Sequence, residues 1–85
     1  MASVRVRLFA AAREAAGRGE DVLEAVTLGD VLTVAGERYG AGFRAVLAAS
    51  RVWVNGDEPT AGNAALLVDG DEVAVLPPVS GGATR

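Results

Sequence analysis

The stretch SVRVRLF, residues 3–9, decides the expected fold because it alternates strictly between two kinds of position. Its apolar side chains fall on one face of an extended chain, namely Val4, Val6 and Leu8. Arg5, Arg7 and Phe9 fall on the opposite face. This period of two predicts a β-strand with one face in a core and the other face open.

The last apolar run, EVAVLP at residues 72–77, shows the same alternation and ends at Pro77, which has no backbone N–H to donate to a sheet. Because the first and last strands are strongly apolar, we expect them to lie side by side at the sheet centre. Other strands are predicted at residues 20–26 and 51–54, and AALLV at residues 64–68 is a further short candidate.

Three segments predict helices. Thr27, with Asp30 three residues later, approximates a capping box, and apolar residues then recur at spacings of three and four as far as Tyr39. A short helix is predicted over residues 10–16, closed by Gly17, and another from about Phe43, after the glycines of the GAG segment.

Together these elements predict an α+β domain with the β-grasp arrangement, in which a mixed sheet wraps over one main helix. We expect residues 1–78 to form the domain and residues 79–85 to form a flexible C-terminal tail. The residues expected inside the core are Val4, Val6, Leu8, Leu32, Val54, Val73 and Val75.

Composition limits the chemistry. The 85 residues include no Cys, His or Lys, so the chain lacks a thiol, an imidazole and a side-chain amine. A net charge of −3 argues against non-specific binding to nucleic acid. No apolar run approaches about 18 residues, and the first residues lack a signal-peptide pattern. We therefore expect a cytoplasmic protein that binds neither nucleic acid nor membranes.

Two charged segments have plain structural interpretations. Asp69, Asp71 and Glu72 do not match a calcium-binding loop, so we expect a turn there and predict no metal site. Arg13 and Glu14 are adjacent on a predicted helix and point in different directions, which favours exposed surface or a partner contact over a catalytic pair.

A partner surface is predicted on the open face of the sheet. In RVWVN, residues 51–55, the alternation places Trp53 opposite the two valines, on the open face. Ala74 and Leu76 of the last strand, and Phe9 after the first, are expected on the same face. We expect these four side chains to contact a partner; burial of Trp53 beneath a loop is the alternative.

Several motifs follow one another in a recognisable order. They are Phe-Ala-x-x-Arg-Glu at residues 9–14, Val-Asn-Gly at 54–56, Asp-Gly-Asp-Glu-Val at 69–73 and Pro-Pro-Val-x-Gly-Gly at 77–82. In this order and spacing the chain resembles the MoaD-type ubiquitin-like sulfur carriers of the MoaD-ThiS family, which include the small subunit of molybdopterin synthase. The Phe-Ala-x-x-Arg-Glu segment favours the MoaD side over the shorter thiamine-pathway carriers.

The resemblance implies a carrier rather than an enzyme, although the chain would count as the small subunit of molybdopterin synthase when paired with the large subunit. It implies that an E1-like enzyme uses ATP to adenylate the carboxylate of Gly82. A sulfur donor would then form a thiocarboxylate, and a client enzyme, most closely the molybdopterin synthase large subunit, would take the sulfur. The carrier itself would bind no cofactor.

The tail residues suit this chemistry physically. Gly81 and Gly82 have no Cβ, so their backbone can enter a narrow tunnel. Pro77 and Pro78 pre-extend the segment that continues through Val79 and Ser80, which reduces the entropy lost on docking.

The ending departs from the family pattern, because Ala83, Thr84 and Arg85 follow Gly82. While they remain, Gly82 carries an amide and not a carboxylate. One alternative is that a protease removes these three residues, as in ubiquitin precursors. Another is that Gly82 of this chain cannot be activated, and a third is that the three residues are foreign to the native protein. The open alternatives are a carrier for another pathway, a ubiquitin-like protein modifier, or a non-covalent β-grasp binding module with an inert tail.

Overall fold

A four-stranded mixed sheet packs against three α-helices in the computed structural model, which describes residues 1–78 of the chain. The elements follow in the order β1 (Ala2–Leu8), α1 (Ala10–Ala16), β2 (Glu20–Ala25), α2 (Leu28–Tyr39), α3 (Ala41–Ala48), β3 (Arg51–Val54), a 3₁₀ turn (Gly62–Ala64) and β4 (Glu72–Leu76). The predicted α+β class and β-grasp arrangement are confirmed.

The first and last strands lie side by side at the centre of the sheet, as their apolar alternation predicts. The strand order is β2-β1-β4-β3, with β1 parallel to β4 and both outer pairs antiparallel. Val6 pairs with Val73 and Leu8 with Val75 in the central register. Each of these four side chains is at most 2% exposed, so the central pairing is also the middle of the core.

The helices close the core over one face of the sheet. Residues Leu28, Val31 and Ala35 of α2 are buried, and Phe43 of α3 is fully enclosed. The Phe43 ring meets the Tyr39 ring edge-on at 5.1 Å between centroids. The predicted capping box at Thr27 and Asp30 is present and fixes the start of α2.

Two residues expected in the core, Leu32 and Val54, are only half-buried. Helix α2 presents Val31 to the sheet, so Leu32 lies on its flank, beside Leu47 of α3. Val54 ends the edge strand β3, which has a neighbouring strand on only one side. Both residues pack against the core without being enclosed by it.

The expected strand at residues 64–68 is wrong. This segment makes one isolated antiparallel bridge, between Leu66 and Thr27, where the Leu28 N–H donates to the Ala65 carbonyl and the Leu67 N–H to the Val26 carbonyl. The pairing ends because its partner chain turns into α2 at Leu28.

A polar cluster centred on Asp21 ties β2 to the end of α2. The Asp21 side chain is 11% exposed and accepts hydrogen bonds from the Tyr39 hydroxyl at 2.5 Å and from Arg38 Nη1 at 3.0 Å. Burial alone would raise the pKa of Asp21, but these bonds, the Val22 N–H and the charge of Arg18 together lower it. Burial and the bond to Asp21 raise the pKa of Tyr39 to about 12.

A matched pair of truncations tests the placement of the core. Leu23 of β2 is 2% exposed, whereas Leu32 is half-buried. Leu23→Ala should therefore lower the free energy of unfolding by about 2–5 kcal/mol, and Leu32→Ala by less than about 2 kcal/mol. Chemical denaturation measures both values. A larger loss for Leu32→Ala than for Leu23→Ala would contradict this packing.

The Asp21 cluster predicts an alkaline loss of stability. A phenol whose pKa is raised in the folded state stabilises the fold fully below its unfolded pKa of about 10, and this contribution disappears as pH rises through the folded value. Tyr39 is the single tyrosine of the chain, so ultraviolet titration of the phenol reports on it alone. We expect a midpoint near 12. Titration at the ordinary value of about 10 would contradict both the burial of the phenol and its bond to Asp21.

Candidate functional site

The open face of the sheet carries a cluster of aromatic, aliphatic and basic side chains at the end from which the chain leaves β4. Arg7 pairs with Ala74 across the β1–β4 ladder, and Trp53 pairs with Ala74 from the other side. Two residues further along β4, on the same face, Leu76 pairs with Arg51. We call this surface the tail-side patch; its members are Arg7, Phe9, Arg51, Trp53, Ala74 and Leu76.

Trp53 lies on the open face and not beneath a loop. Its neighbours Val52 and Val54 point toward the core, and the period of two in β3 sends the indole to the other side. The residue is 37% exposed, so part of the indole faces solvent. The residue across from it in the ladder is the small Ala74.

Phe9 joins the patch directly after β1. Its backbone N–H donates to the Val75 carbonyl at 3.3 Å, which continues the central ladder by one residue. Ala10 then adopts a left-handed conformation, with φ of 49°, and the chain turns into α1. The Phe9 ring is left 38% exposed, with the Arg7 guanidinium carbon 5.5 Å from its centroid, a cation–π contact.

The sequence predicted a partner contact only for the apolar members of this patch and gave its arginines no role. Arg7 and Arg51 fall on the open face by the same period of two that places Trp53 and Leu76 there. That alternation predicts their face, but it does not show which arginine is paired within the molecule. The patch therefore combines two aromatic rings with two guanidinium groups.

The predicted tail, residues 79–85, lies outside the described residues, which end just after β4. Pro77 is half-buried and Pro78 is exposed directly after β4. The predicted roles of Val79, Ser80, Gly81 and Gly82 fall on residues that lie outside the described range, as does the extension Ala83–Arg85.

The acidic turn before β4 uses its carboxylates to hold the backbone. Asp71 accepts hydrogen bonds from the Val68 N–H at 2.8 Å and from Asn55 Nδ2 at 3.0 Å, and these two bonds lower the pKa of Asp71. Asp69 accepts from the Ser3 N–H at 2.8 Å. These bonds support the turn interpretation. Among residues 1–78, no group of three acidic or other metal-binding side chains is placed to hold an ion.

Two further predictions concern the surface. Arg13 and Glu14 are both exposed on α1. None of the helices found in residues 1–78 is long and apolar enough to cross a membrane.

Proteins of known structure resemble this chain over almost its whole length. The small archaeal modifier protein 1 of Methanosarcina acetivorans matches with a TM-score of 0.85 and 34% sequence identity, over 95% of this chain and 97% of that one. A protein assigned as molybdopterin converting factor, subunit 1, from Pyrococcus furiosus matches with a TM-score of 0.81 and 28% identity, over 93% and 100% of the two chains.

A third match is limited to the fold. It is with the complex of subunits 1 and 2 of the molybdopterin-converting factor from Helicobacter pylori 26695, with a TM-score of 0.72 and 24% identity, over 93% of this chain and 97% of that one. A search of curated proteins found no significant match.

The sequence model of the ThiS family matches residues 6–82, which is nearly the whole chain. The resemblance inferred from the motifs is therefore confirmed. This protein belongs to the ThiS family, whose members are small ubiquitin-like sulfur carriers and modifiers and not enzymes.

Proposed function

We propose that this protein is a sulfur carrier whose Gly82, once it is C-terminal, is adenylated and then converted to a thiocarboxylate. The observation that carries the proposal is the extent of the family match, which runs through the Pro-Pro-Val-Ser-Gly-Gly segment and stops at Gly82. The match includes the tail as well as the folded domain, so the likeness covers the part of the chain where the chemistry would occur.

The proposed chemistry needs one group from this chain and several from its partners. A carboxylate oxygen of Gly82 attacks the α-phosphorus of ATP, and pyrophosphate leaves. Sulfide-level sulfur released by the donor protein then attacks the acyl carbon, the new C–S bond replaces the bond to AMP, AMP leaves, and the thiocarboxylate remains on the carrier. Since the chain has no thiol, imidazole or side-chain amine, we assign the activation and the sulfur supply to an E1-like enzyme and a sulfur donor.

The fold suits a carrier because it gives the tail a fixed starting point. Strand β4 is paired on both sides, by β1 and β3, and its core-facing residues Val73 and Val75 are enclosed. A partner that contacts the tail-side patch therefore meets the chain at a constant distance from Pro77. The same partner can then receive the glycines that follow.

The client is the finer part of the proposal. We favour molybdopterin synthesis, with the large subunit of molybdopterin synthase as the client, because of the Phe-Ala-x-x-Arg-Glu motif and the likeness to the Pyrococcus furiosus protein. The Helicobacter pylori structure, in which subunit 1 is bound to subunit 2, is an example of such an assembly. We place the reaction in the cytoplasm, where ATP for the activating enzyme is supplied.

A second candidate function is protein modification, and the 34% identity to the Methanosarcina acetivorans modifier favours it. Both functions need the same activated carboxylate at Gly82. Both also require that Ala83–Arg85 be removed, so we include a processing protease among the partners. They differ in the final step. In sulfur transfer the client takes the sulfur and the carboxylate of Gly82 is regenerated, whereas in protein modification an amine of the target protein takes the acyl group of Gly82.

Replacement of Trp53 tests the partner surface. Trp53→Ala should weaken binding to the adenylating enzyme by more than about 1 kcal/mol, as loss of an aromatic anchor does. Because the indole is 37% exposed, the free energy of unfolding should fall by only about 1–2 kcal/mol, against about 3–5 kcal/mol for Phe43→Ala in the core. Calorimetry and chemical denaturation measure the two effects. Normal binding together with a core-sized loss of stability would assign Trp53 to packing alone.

Activation at Gly82 can be measured by ATP–pyrophosphate exchange with the E1-like enzyme of the same organism. The chain that ends at Gly82 should support exchange, and the chain that ends at Arg85 should not. Adenylation requires the carboxylate to lie roughly 3–3.5 Å from the α-phosphorus, and the three extra residues replace it with an amide. A Gly82-ended chain with Gly82→Ala should react poorly because its Cβ crowds the tunnel.

The control for this assay is an adenylating enzyme already proven active on its own carrier and shown to bind this protein. Equal exchange by all three forms would refute activation at Gly82. Absence of exchange from the Gly82-ended chain under these conditions would favour a binding module with an inert tail.

A further inference from the structure

We propose that Arg51 pairs with a carboxylate on the adenylating enzyme and thereby sets the position in which that enzyme docks on the tail-side patch. This inference rests on the proposed function, since it assigns a partner contact to the same surface. The adenylating enzyme is the relevant partner because sulfur transfer and protein modification both require it.

The ion pairs of the open face single out Arg51. Three arginines of the described strands project from this face, Arg5 and Arg7 from β1 and Arg51 from β3. Arg5 pairs with Glu20 at 3.1 Å, and Arg7 pairs with Glu72 at 3.8 Å. Within residues 1–78, Arg51 forms no ion pair. It is exposed, and its guanidinium is thus free to meet a group from outside.

The two arginines of the patch are not equivalent. Arg7 is engaged within the molecule, since it contacts the Phe9 ring as well as Glu72. Arg51 has neither contact among the described residues. Arg7 therefore holds Phe9 in place within the patch. Arg51 contributes a positive charge that no other member of the patch neutralises.

Arg51 lies where a partner that covers the apolar part of the patch would also cover its charge. It is paired in the ladder with Leu76, and Trp53 stands two residues further along the same strand and on the same face. A protein that covers Trp53 and Leu76 must also remove water from the neighbouring guanidinium. Burial of a charge without a counter-charge is costly, so a partner that covers these apolar groups needs an acceptor opposite Arg51.

A carboxylate is the acceptor that fits best. The planar guanidinium donates two parallel hydrogen bonds to it, which fixes orientation as well as adding binding energy. The whole chain carries a net charge of −3, so it does not attract an acidic surface over long distances. The pairing therefore acts at contact and should affect dissociation and register more than the rate of encounter.

The test measures binding of full-length chains to the adenylating enzyme, separately from exchange by Gly82-ended chains. Arg51→Ala should weaken binding about fivefold to tenfold at low ionic strength, near 0.05 M, and the defect should shrink near 0.5 M, where salt screens the pair. Arg51→Lys should restore part of the affinity, because it keeps the charge but loses the paired hydrogen bonds. In exchange, KM should rise while kcat stays unchanged.

Arg18→Ala is the matched control. It changes the net charge of the chain by the same amount, but Arg18 pairs with Asp21 on the helix side of the sheet. Its affinity should stay within about twofold of the unaltered chain, as expected for a charge outside the interface. Equal affinities for Arg51→Ala and Arg18→Ala would overturn the proposal. A defect that is the same at low and high salt would overturn it too, since loss of packing and not of charge would then be responsible.

The two levels of inference can fail separately. If the chain without a substitution binds the enzyme but its Gly82-ended form supports no exchange, the proposed function fails, and the affinities of the Arg51 variants still decide the role of this residue. If exchange occurs and Arg51→Ala has no effect on affinity or KM, the proposed function stands and the role of Arg51 is refuted. If the unaltered chain does not bind at all, both are refuted.

Discussion

Parallel pairing of the first and last strands is the constraint from which the rest of this structure follows. Val6 and Leu8 of β1 meet Val73 and Val75 of β4, and burial of these side chains joins the two ends of the folded chain at the sheet centre. The pairing brings residues more than sixty positions apart in sequence into contact. Phe9 consequently lies next to the point where β4 ends and the tail begins.

This pairing also divides the two faces of the sheet between stability and recognition. One face is covered by the helices, and Phe43 of α3 is fully enclosed there. The other face is left to a mixture of ion pairs and partly exposed aromatic rings, among them Trp53. Exposed ion pairs contribute little to stability. Residues of the open face can therefore be substituted to suit a partner with little loss of folding free energy. The tail-side patch is the part of that face closest to the exit of the chain.

Strict alternation predicted most of this arrangement, because a period of two fixes the face of every residue once the core side is known. It placed β1, β4 and Trp53 without further information, and the capping residues placed the start of α2. Helical periodicity is less exact, since neighbouring positions differ by about 100° in direction. That is why Leu32 was expected in the core position that Val31 and Ala35 occupy.

The remaining errors come from tertiary contacts that no local pattern encodes. The AALLV segment has the composition of a strand, but its available partner turns into α2 after two residues, so no ladder forms. The link between Asp21 and Tyr39 joins residues 18 positions apart. Arg51 gains its significance from the ion pairs that Arg5 and Arg7 make elsewhere on the face, which depend on strand register.

Conversion of the carboxylate of Gly82 to a thiocarboxylate is the step on which the proposed function rests, and the intact mass of the protein isolated from its own cells reports on it. We expect a chain that has lost Ala83–Arg85, and we expect part of this Gly82-ended form to be heavier by the mass difference between a sulfur and an oxygen atom. A chain that retains Arg85 throughout, with no sulfur-containing form under any growth condition, would contradict it.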